Sequence, residues 1–405
     1  MTPKPAARLF DRSTPPHIVT LILIAGLAAL SLNVFLPSLP SMAAHFGVEY
    51  HLMQLSLSLY LAMTAILQVF IGPISDRYGR RPVILVTVAI FVLATAGTLV
   101  APNFEIFLAC RLTQAVIASG FALSRAVIRD MVPQDQAASQ IAYVTMGMSL
   151  VPMFGPVIGG ALDEYFGWQA SFILLGLCGI GLLALLWSDL GETAEGHAAG
   201  FAAQAREYPE LLTSQRFWGY CLASAFASGA FFAYLGGAPF VGTEFFHLDP
   251  AALGSYFGAP ALGYLFGNFL SGRYSMRIGI NRMMLWGGFV LVLGLGILAA
   301  LTAAGVTGPN VFFGLAISIG IGNGVMLPNA NAGMLSVRPS LAGSASGLGG
   351  AFAIGGGAAL SILAARVLTP DTGPQPLILV MLATSVAATL CTFWVIRRET
   401  VLRRS

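Results

Sequence analysis

Charged residues are scarce in this sequence, and their scarcity excludes an ordinary soluble protein. Only 9% of the 405 residues are charged, whereas 57% are hydrophobic and the mean hydropathy is +0.81. A soluble chain of this length could not hide so much apolar surface, so lipid must be its solvent. The formal net charge is only +3, which gives no reason to expect nucleic acid as a partner.

Groups that carry chemistry are also sparse. The four cysteines lie in apolar runs whose spacing fits neither a metal site nor a secreted disulfide framework, so we expect buried hydrophobic side chains. No paired acids, H-E-x-x-H or Ser/His pair lies in an apolar segment, and no G-x-x-x-x-G-K-[ST] phosphate loop occurs. We therefore predict that the protein is not an enzyme and has neither a cofactor nor a metal.

Long apolar stretches dominate instead, separated by short polar turns. A spanning helix needs about 20 apolar residues, so the chain has room for about twelve. The first stretch is too long for a signal-peptide core and lacks an A-x-A cleavage site, so we expect it to be retained. The predicted spans are residues 17–40, 53–73, 83–101, 106–128, 139–162, 168–188, 216–241, 252–272, 283–303, 310–331, 342–367 and 375–396.

The basic residues support this map. With the N-terminus in the cytoplasm, eighteen of the twenty basic residues fall on the cytoplasmic side, and only Arg111 and Arg366 are left over. One missing span would destroy this sorting. The positive-inside rule therefore favours an even number of spans with both termini cytoplasmic.

The longest polar stretch, residues 189–215, divides the chain and is predicted to be a cytoplasmic linker. It separates a bundle at residues 1–188 from a bundle at 216–405. Arg77-Tyr78-Gly79 and Arg277-Ile278-Gly279 lie 200 residues apart in equivalent loops. Two six-helix bundles with matching loops resemble the major facilitator architecture. We predict an all-α membrane protein with twelve transmembrane helices in two six-helix bundles.

The loop after the second span resembles the major facilitator signature G-x-x-x-D-R-x-G-R-R. Glycine permits close helix approach or a tight turn, and Asp76 can accept hydrogen bonds from arginine. We expect a conformational latch, meaning a network that holds one conformation and releases in the other. The alternative is a basic loop that only sets topology. The latch residues are Gly72, Asp76, Arg77, Gly79, Arg80 and Arg81.

Two further motifs lie inside spans. Arg111 and Gln114 resemble the R-x-x-Q element of proton-coupled exporters, which implies substrate contact or tuning of a protonation site; snorkelling of Arg111 to the outer interface is the alternative. Span five resembles the antiporter signature G-P-x-x-G-G, which implies export, while a generic packing kink is the structural alternative. The antiporter-motif residues are Pro152, Gly155, Pro156, Gly159 and Gly160.

Shorter elements spread along the chain resemble the Bcr/CflA-type exporters, the bicyclomycin and chloramphenicol resistance group. They include Phe35-Leu36-Pro37-Ser38-Leu39-Pro40 and Gly167-Trp168-Gln169-Ala170-Ser171-Phe172. The resemblance implies a monomeric exporter of small amphipathic drugs in a bacterial inner membrane, working in exchange for protons by alternating access. A permease for one metabolite, with weak or no proton coupling, is the alternative.

One position departs from that family pattern. The family usually has an acid shortly before its Leu-Pro-x-Leu-Pro element, and here Asn33 stands there. None of the seventeen acids lies in the middle of a predicted span, so the coupled proton has no obvious carrier. Asp76, Glu105 and Asp130, near span ends, are the candidates, or coupling is weak or absent.

A drug pocket should be apolar with a few polar anchors. The predicted substrate-binding residues are Asn33, Tyr60, Arg111, Gln114, Phe231, Phe232, Tyr234, Asn329 and Asn331. For the aromatic residues, packing on lipid or a neighbouring helix is the alternative. Asn329 and Asn331 follow Pro328, where a broken helix could expose carbonyls to a cavity; an ordinary interhelical hydrogen bond is the alternative.

Overall fold

The computed structural model describes residues 9–12, 14–132, 140, 144, 151–193, 209, 211–337, 342–369 and 372–402. These residues form helices and short connections and contain no strand, which confirms the all-α class. The first six helical segments are α1 (Ile18–Phe46), α2 (Tyr50–Tyr78), α3 (Arg80–Leu99), α4 (Phe104–Gln114, Ala115–Ala118 and Ser119–Met131), α5 (Val151–Phe166) and α6 (Gln169–Asp189). The next six are α7 (Gln215–Phe245), α8 (Pro250–Phe257 and Ala259–Ile278), α9 (Ile280–Ala303), α10 (Pro309–Val337), α11 (Ala342–Val367) and α12 (Gln375–Leu402).

Ten of these segments are long and apolar enough to cross a membrane; α5 and α8 are not among them. Only 16 residues of α5 are described in one run, and α8 carries Asn268, Arg273 and Arg277, which lower its apolar character. The count of twelve spans therefore stays a prediction. Most of the predicted linker, 194–208 and 210, lies outside the described residues, while Asp189 ends α6 and Gln215 begins α7.

The two halves repeat the same turn. Gly79 joins α2 to α3 with φ 94° and ψ 149°, and Gly279 joins α8 to α9 with φ 91° and ψ 145°. A side chain is strained in this conformation, so glycine is needed at both places. The matched Arg-x-Gly elements of the sequence therefore correspond to matched backbone geometry.

In each half, a hydrogen bond joins the first helix to the last helix, and in both halves it lies at the same end. We call the end at which α1 and α7 begin the terminal side and the opposite end the distal side. In the first half, Thr20 donates to Asp189 at 2.6 Å, which joins α1 to α6. In the second half, Tyr220 donates to Glu399 at 2.8 Å, which joins α7 to α12. An acid on the last helix thus fastens the first helix of each half.

The halves contact each other mainly through two helix pairs, α2 with α11 and α5 with α8. Glycines allow the second pair to approach closely, because a Cβ on Gly160 would overlap the Pro250 carbonyl oxygen and one on Gly254 the Pro156 carbonyl oxygen. These contacts near the end of α5 and the start of α8 lie on the distal side.

Candidate functional site

Arg111 lies inside the first half, where its guanidinium is wholly buried. It donates to the Ser31 carbonyl oxygen at 2.6 Å, to Ser31 Oγ at 3.1 Å and to Gln114 Oε1 at 2.8 Å. Gln114 in turn donates to Thr95 Oγ1 at 2.8 Å. The network therefore joins α1, α3 and α4, and it shows that Arg111 does not snorkel: that alternative is wrong.

Two aromatic rings complete the surroundings of Arg111. Its guanidinium carbon lies 4.3 Å from the centre of the Phe35 ring and 4.1 Å from that of the Tyr60 ring. Tyr60 also donates to Ser31 Oγ at 3.3 Å. Rings at these distances stabilise a buried cation through their quadrupoles. The structure therefore brings Tyr60, Arg111 and Gln114 of the predicted site together in one cluster.

Asn33 lies on the same helix as Ser31 but is directed elsewhere. Its side-chain amide donates to the Ala29 carbonyl oxygen at 2.7 Å, while its Oδ1 has no hydrogen-bond partner among the described residues. A Cβ on Gly155 would lie 3.4 Å from the Asn33 Cβ, so Asn33 faces α5. The residue that replaces the usual acid thus borders the antiporter motif.

In the second half, the predicted site residues do not form one cluster. Tyr234 is buried, stacks on Phe257 and Phe312, and donates to the Phe257 carbonyl oxygen at 3.2 Å, so it packs between helices. Phe231 and Phe232 are half-buried, and Phe232 lies against Gly357 of α11. The aromatic residues thus contribute mainly to packing within the second half.

The two asparagines of α10 also differ from each other. Asn329 is buried and donates to Ser271 Oγ of α8 at 2.9 Å, as the interhelical alternative predicted. Asn331 is exposed. The helix runs unbroken through Pro328, so the expectation of a broken helix there is wrong. The Asn329 side chain also donates to the Val325 carbonyl oxygen of its own helix at 2.7 Å.

Three of the predicted latch residues, Asp76, Arg80 and Arg81, meet at the terminal end of the first half, whereas Arg77 is exposed. Arg80 contacts Asp76 and donates through Nε to Asp130 Oδ2 of α4 at 3.0 Å. The Arg80 backbone N–H donates to Glu192 at 2.8 Å, and Arg81 donates to the Leu190 carbonyl oxygen at 2.7 Å. This network links α2 and α3 to α4 and the end of α6. Gly72 has open space around it, so close packing does not explain that glycine.

The antiporter motif is the place where α5 meets two partners. A Cβ on Gly159 would overlap the Val34 carbonyl oxygen of α1, and Gly160 faces Pro250 of α8. Pro156 lies within the helix; the side chain of Pro152 is not described. The glycines therefore serve both the packing of the first half and its contact with the second.

Sequence reasoning missed two polar contacts between the halves. Tyr50 at the start of α2 donates to the Gly236 carbonyl oxygen of α7 at 2.8 Å. Gln54 donates to both Ser361 Oγ and the Ser361 carbonyl oxygen of α11 at 2.8 Å. Both donors lie in the first turns of α2. A polar residue at that place looks like an ordinary solvated helix end in sequence.

Sequence reasoning also missed Asp163. The predicted fifth span ended at residue 162, which left Asp163 one residue outside it. The helix continues to Phe166, and Asp163 is 8% exposed. Ser41 donates to Asp163 Oδ2 at 2.6 Å. None of the ion pairs formed by the described residues includes Asp163. A buried carboxylate thus joins α5 to α1.

Comparison with known proteins places this architecture. The sequence model of the Major Facilitator Superfamily matches residues 21–362 and 247–404. The chain belongs to the major facilitator superfamily. It is 27% identical to the Bicyclomycin resistance protein homolog of Haemophilus influenzae, over 90% of this chain and 92% of that protein. It is also 35% identical to the Chloramphenicol resistance protein of Pseudomonas aeruginosa, over 53% of this chain and 51% of that protein.

The solved structures agree on the fold. A peptide transporter POT in complex with sulfate superposes with a TM-score of 0.77 at 12% identity, covering 96% of each chain. Identity at that level shows a shared fold and no more. The curated relatives confirm the resemblance to the Bcr/CflA-type group, and the protein is a multi-pass membrane transporter of the major facilitator type.

Proposed function

We propose that this transporter exports small amphipathic drugs by alternating access, in exchange for protons, as a monomer in a bacterial inner membrane with both termini cytoplasmic. The observation that carries the proposal is the wholly buried Arg111–Gln114 pair, held in the half whose α5 carries the antiporter glycines. Relatives named for resistance to bicyclomycin and chloramphenicol support drugs as the substrate class.

Alternating access requires contacts between the halves that can break on one side at a time. On the distal side, Tyr50 and Gln54 hydrogen-bond to α7 and α11 across the boundary. On the terminal side, the Arg80 and Glu399 networks each remain within one half. This distribution supports a conformation that is closed distally, with the distal contacts as the gate that opens for release.

Proton exchange needs a titratable group, such as a carboxylate, that both gains and loses a proton during the cycle. Asp76 and Asp130 both contact Arg80, and Glu105 is exposed in the first turn of α4. Asp163 joins them as a candidate, because it is buried within a helix and lacks an ion pair among the described residues. A buried carboxylate without a cation favours its protonated form.

Proteoliposomes test the export hypothesis and the coupling together. Chloramphenicol uptake into vesicles should rise when a pH gradient is imposed, and Asp163→Asn should abolish that response if Asp163 carries the proton. Parallel variants Asp76→Asn, Asp130→Asn and Glu105→Gln identify the carrier if it is another acid. Unchanged uptake with and without the gradient contradicts proton exchange. Unchanged resistance of a drug-sensitive host to every compound tested contradicts drug export and favours a metabolite permease.

A further inference from the structure

Arg111 is a buried charge that has no counter-charge among the residues the structure describes. None of the ion pairs that the described residues form includes it, and its hydrogen-bond acceptors, Ser31 and Gln114, are neutral. The rings of Phe35 and Tyr60 offer only quadrupoles. The first half therefore keeps a net positive charge at this depth.

The distance between Arg111 and the two other buried charged groups that α1 contacts follows from the spacing of their partners along α1. Three side chains of α1 bind a buried charged group: Thr20 binds Asp189, Ser31 binds Arg111 and Ser41 binds Asp163. At 1.5 Å per residue, Ser31 is roughly 15 Å from each of the other two. Each buried acid is therefore too far from Arg111 to pair with it.

The positive charge also lies close to the boundary between the halves. Tyr60, which covers Arg111, belongs to α2, and α2 packs against α11 of the second half. Packed helices are about 8–10 Å apart, so a molecule bound beside α2 between the halves would lie at roughly that distance from Arg111. At about 10 Å and an effective dielectric of about 20, one unit charge changes a binding constant about 16-fold.

An unused donor points to the same ligand chemistry. Arg111 Nε is buried and has no hydrogen-bond partner among the described residues. A buried N–H of this kind is stabilised by a hydrogen-bond acceptor, and more strongly by a charged carboxylate or sulfonate oxygen than by a neutral one such as a nitro oxygen. A cation is repelled by the positive charge of Arg111, whatever acceptors it carries.

We propose that the transporter selects amphipathic organic anions, and neutral compounds with strong acceptor groups, and that Arg111 excludes lipophilic cations. This inference rests on the proposed function and names its substrate class. Anion export also suits a chain with no acid in the middle of a predicted span. An inside-negative potential of about 100 mV favours exit of a monovalent anion by a factor of about fifty, whether or not a proton moves the other way.

Matched dyes test the charge preference. Fluorescein, an anion, and rhodamine 123, a cation, share the xanthene ring system. Full-length protein in proteoliposomes without any imposed gradient should exchange fluorescein more than tenfold faster than rhodamine 123, after subtraction of protein-free vesicles. Equal exchange of the two dyes, or faster exchange of rhodamine 123, overturns the proposal.

A matched pair of variants tests whether Arg111 is the cause. Asn33 and Asn323 are each 3% exposed, and each has an Oδ1 without a hydrogen-bond partner in the described residues. Asn33→Asp adds a negative charge two residues from Ser31 and should raise rhodamine 123 exchange at least tenfold. Asn323→Asp, on α10, should leave the dye preference unchanged. An equal gain in both variants shows a general effect of added acid and contradicts the role of Arg111.

Chloramphenicol, a neutral nitro compound, separates this inference from the proposed function. Exchange of chloramphenicol with exchange of neither dye overturns the anion preference and leaves drug export standing. Exchange of none of the three compounds overturns both.

Discussion

The two halves share a fold but not a chemistry. Among residues whose burial is described, the four buried charged side chains, Arg80, Arg111, Asp163 and Asp189, all lie in the first half. The buried polar residues of the second half are neutral serines, threonines and asparagines. Arg80 and Asp189 lie at helix ends on the terminal side, whereas Arg111 and Asp163 lie within helices, where a charge in a membrane is costly.

The second half uses its interior for close packing instead. A Cβ on Gly320 would overlap the Pro260 carbonyl oxygen, and one on Gly324 the Tyr264 carbonyl oxygen, so α8 and α10 touch backbone to backbone. Gly263 and Gly267 of α8 face α10 in the same way. Small residues four apart are typical of tightly associated membrane helices. The comparison teaches that one bundle can hold the buried charges while its repeat forms a tightly packed frame, by which we mean the backbone-to-backbone contact of α8 and α10.

The largest effect should come from the buried cation of the first half. Arg111→Ala removes three hydrogen bonds to Ser31 and Gln114 and leaves buried acceptors unsatisfied, so transport should fall to background. Drug efflux and the amount of protein in the membrane fraction measure this separately.

Arg366→Ala is the matched control. Like Arg111, Arg366 is a basic residue that the predicted topology does not place on the cytoplasmic side, but it is exposed at the end of α11. It should transport normally. Normal efflux by Arg111→Ala would remove the chemical contrast between the halves.

The second effect in size concerns the frame. Gly320→Ala places a methyl group on the Pro260 carbonyl oxygen and should lower the free energy of unfolding by about 1–3 kcal/mol. Thermal unfolding in detergent measures the change.

Gly314 of the same helix has open space around it, so Gly314→Ala should be neutral or stabilising by up to about 1 kcal/mol. Equal thermal stability of the two variants would contradict backbone packing as the basis of the frame.

A substitution in the latch should have a smaller effect, and the equivalent substitution in the second half should have none. Asp76→Asn leaves Arg80 with Asp130 as its remaining carboxylate partner, so the protein should leave the conformation that the latch holds about tenfold faster, as expected for loss of a charged hydrogen bond. Single-molecule fluorescence between labels on the two halves measures the rate.

At the equivalent position of the second half stands Met276, which is 99% exposed. Met276→Asn should leave the rate unchanged. An unaltered rate in Asp76→Asn refutes the latch.

The smallest effect concerns the boundary between the halves. Gln54→Ala removes both hydrogen bonds to Ser361 and should shift the population toward distal opening about fivefold, which corresponds to about 1 kcal/mol. Ser361→Ala keeps the carbonyl acceptor and should shift it less. Distances between spin labels across the distal side measure both populations, and identical populations in Gln54→Ala and the parent protein would exclude this gate.

Sequence predicted the fold better than the site. Apolar length and the sorting of arginines placed the described helix ends within six residues, because both signals can be read directly from the sequence. Asp163 was missed since α5 extends four residues past its predicted end at 162, which brings the acid inside the helix. Tyr234 and Asn329 could not be assigned, because a side chain facing a cavity and one facing a neighbouring helix have the same spacing.

The fastening of α1 by Asp189 and of α7 by Glu399 has a consequence for covalent continuity. Each bundle is tied by its own acid, and Glu192 just after α6 also accepts from the Arg80 backbone, so none of these contacts needs the chain to be continuous between Glu192 and the start of α7. A chain cut there would keep both ties, and its two fragments should reassemble through the α2–α11 and α5–α8 contacts alone.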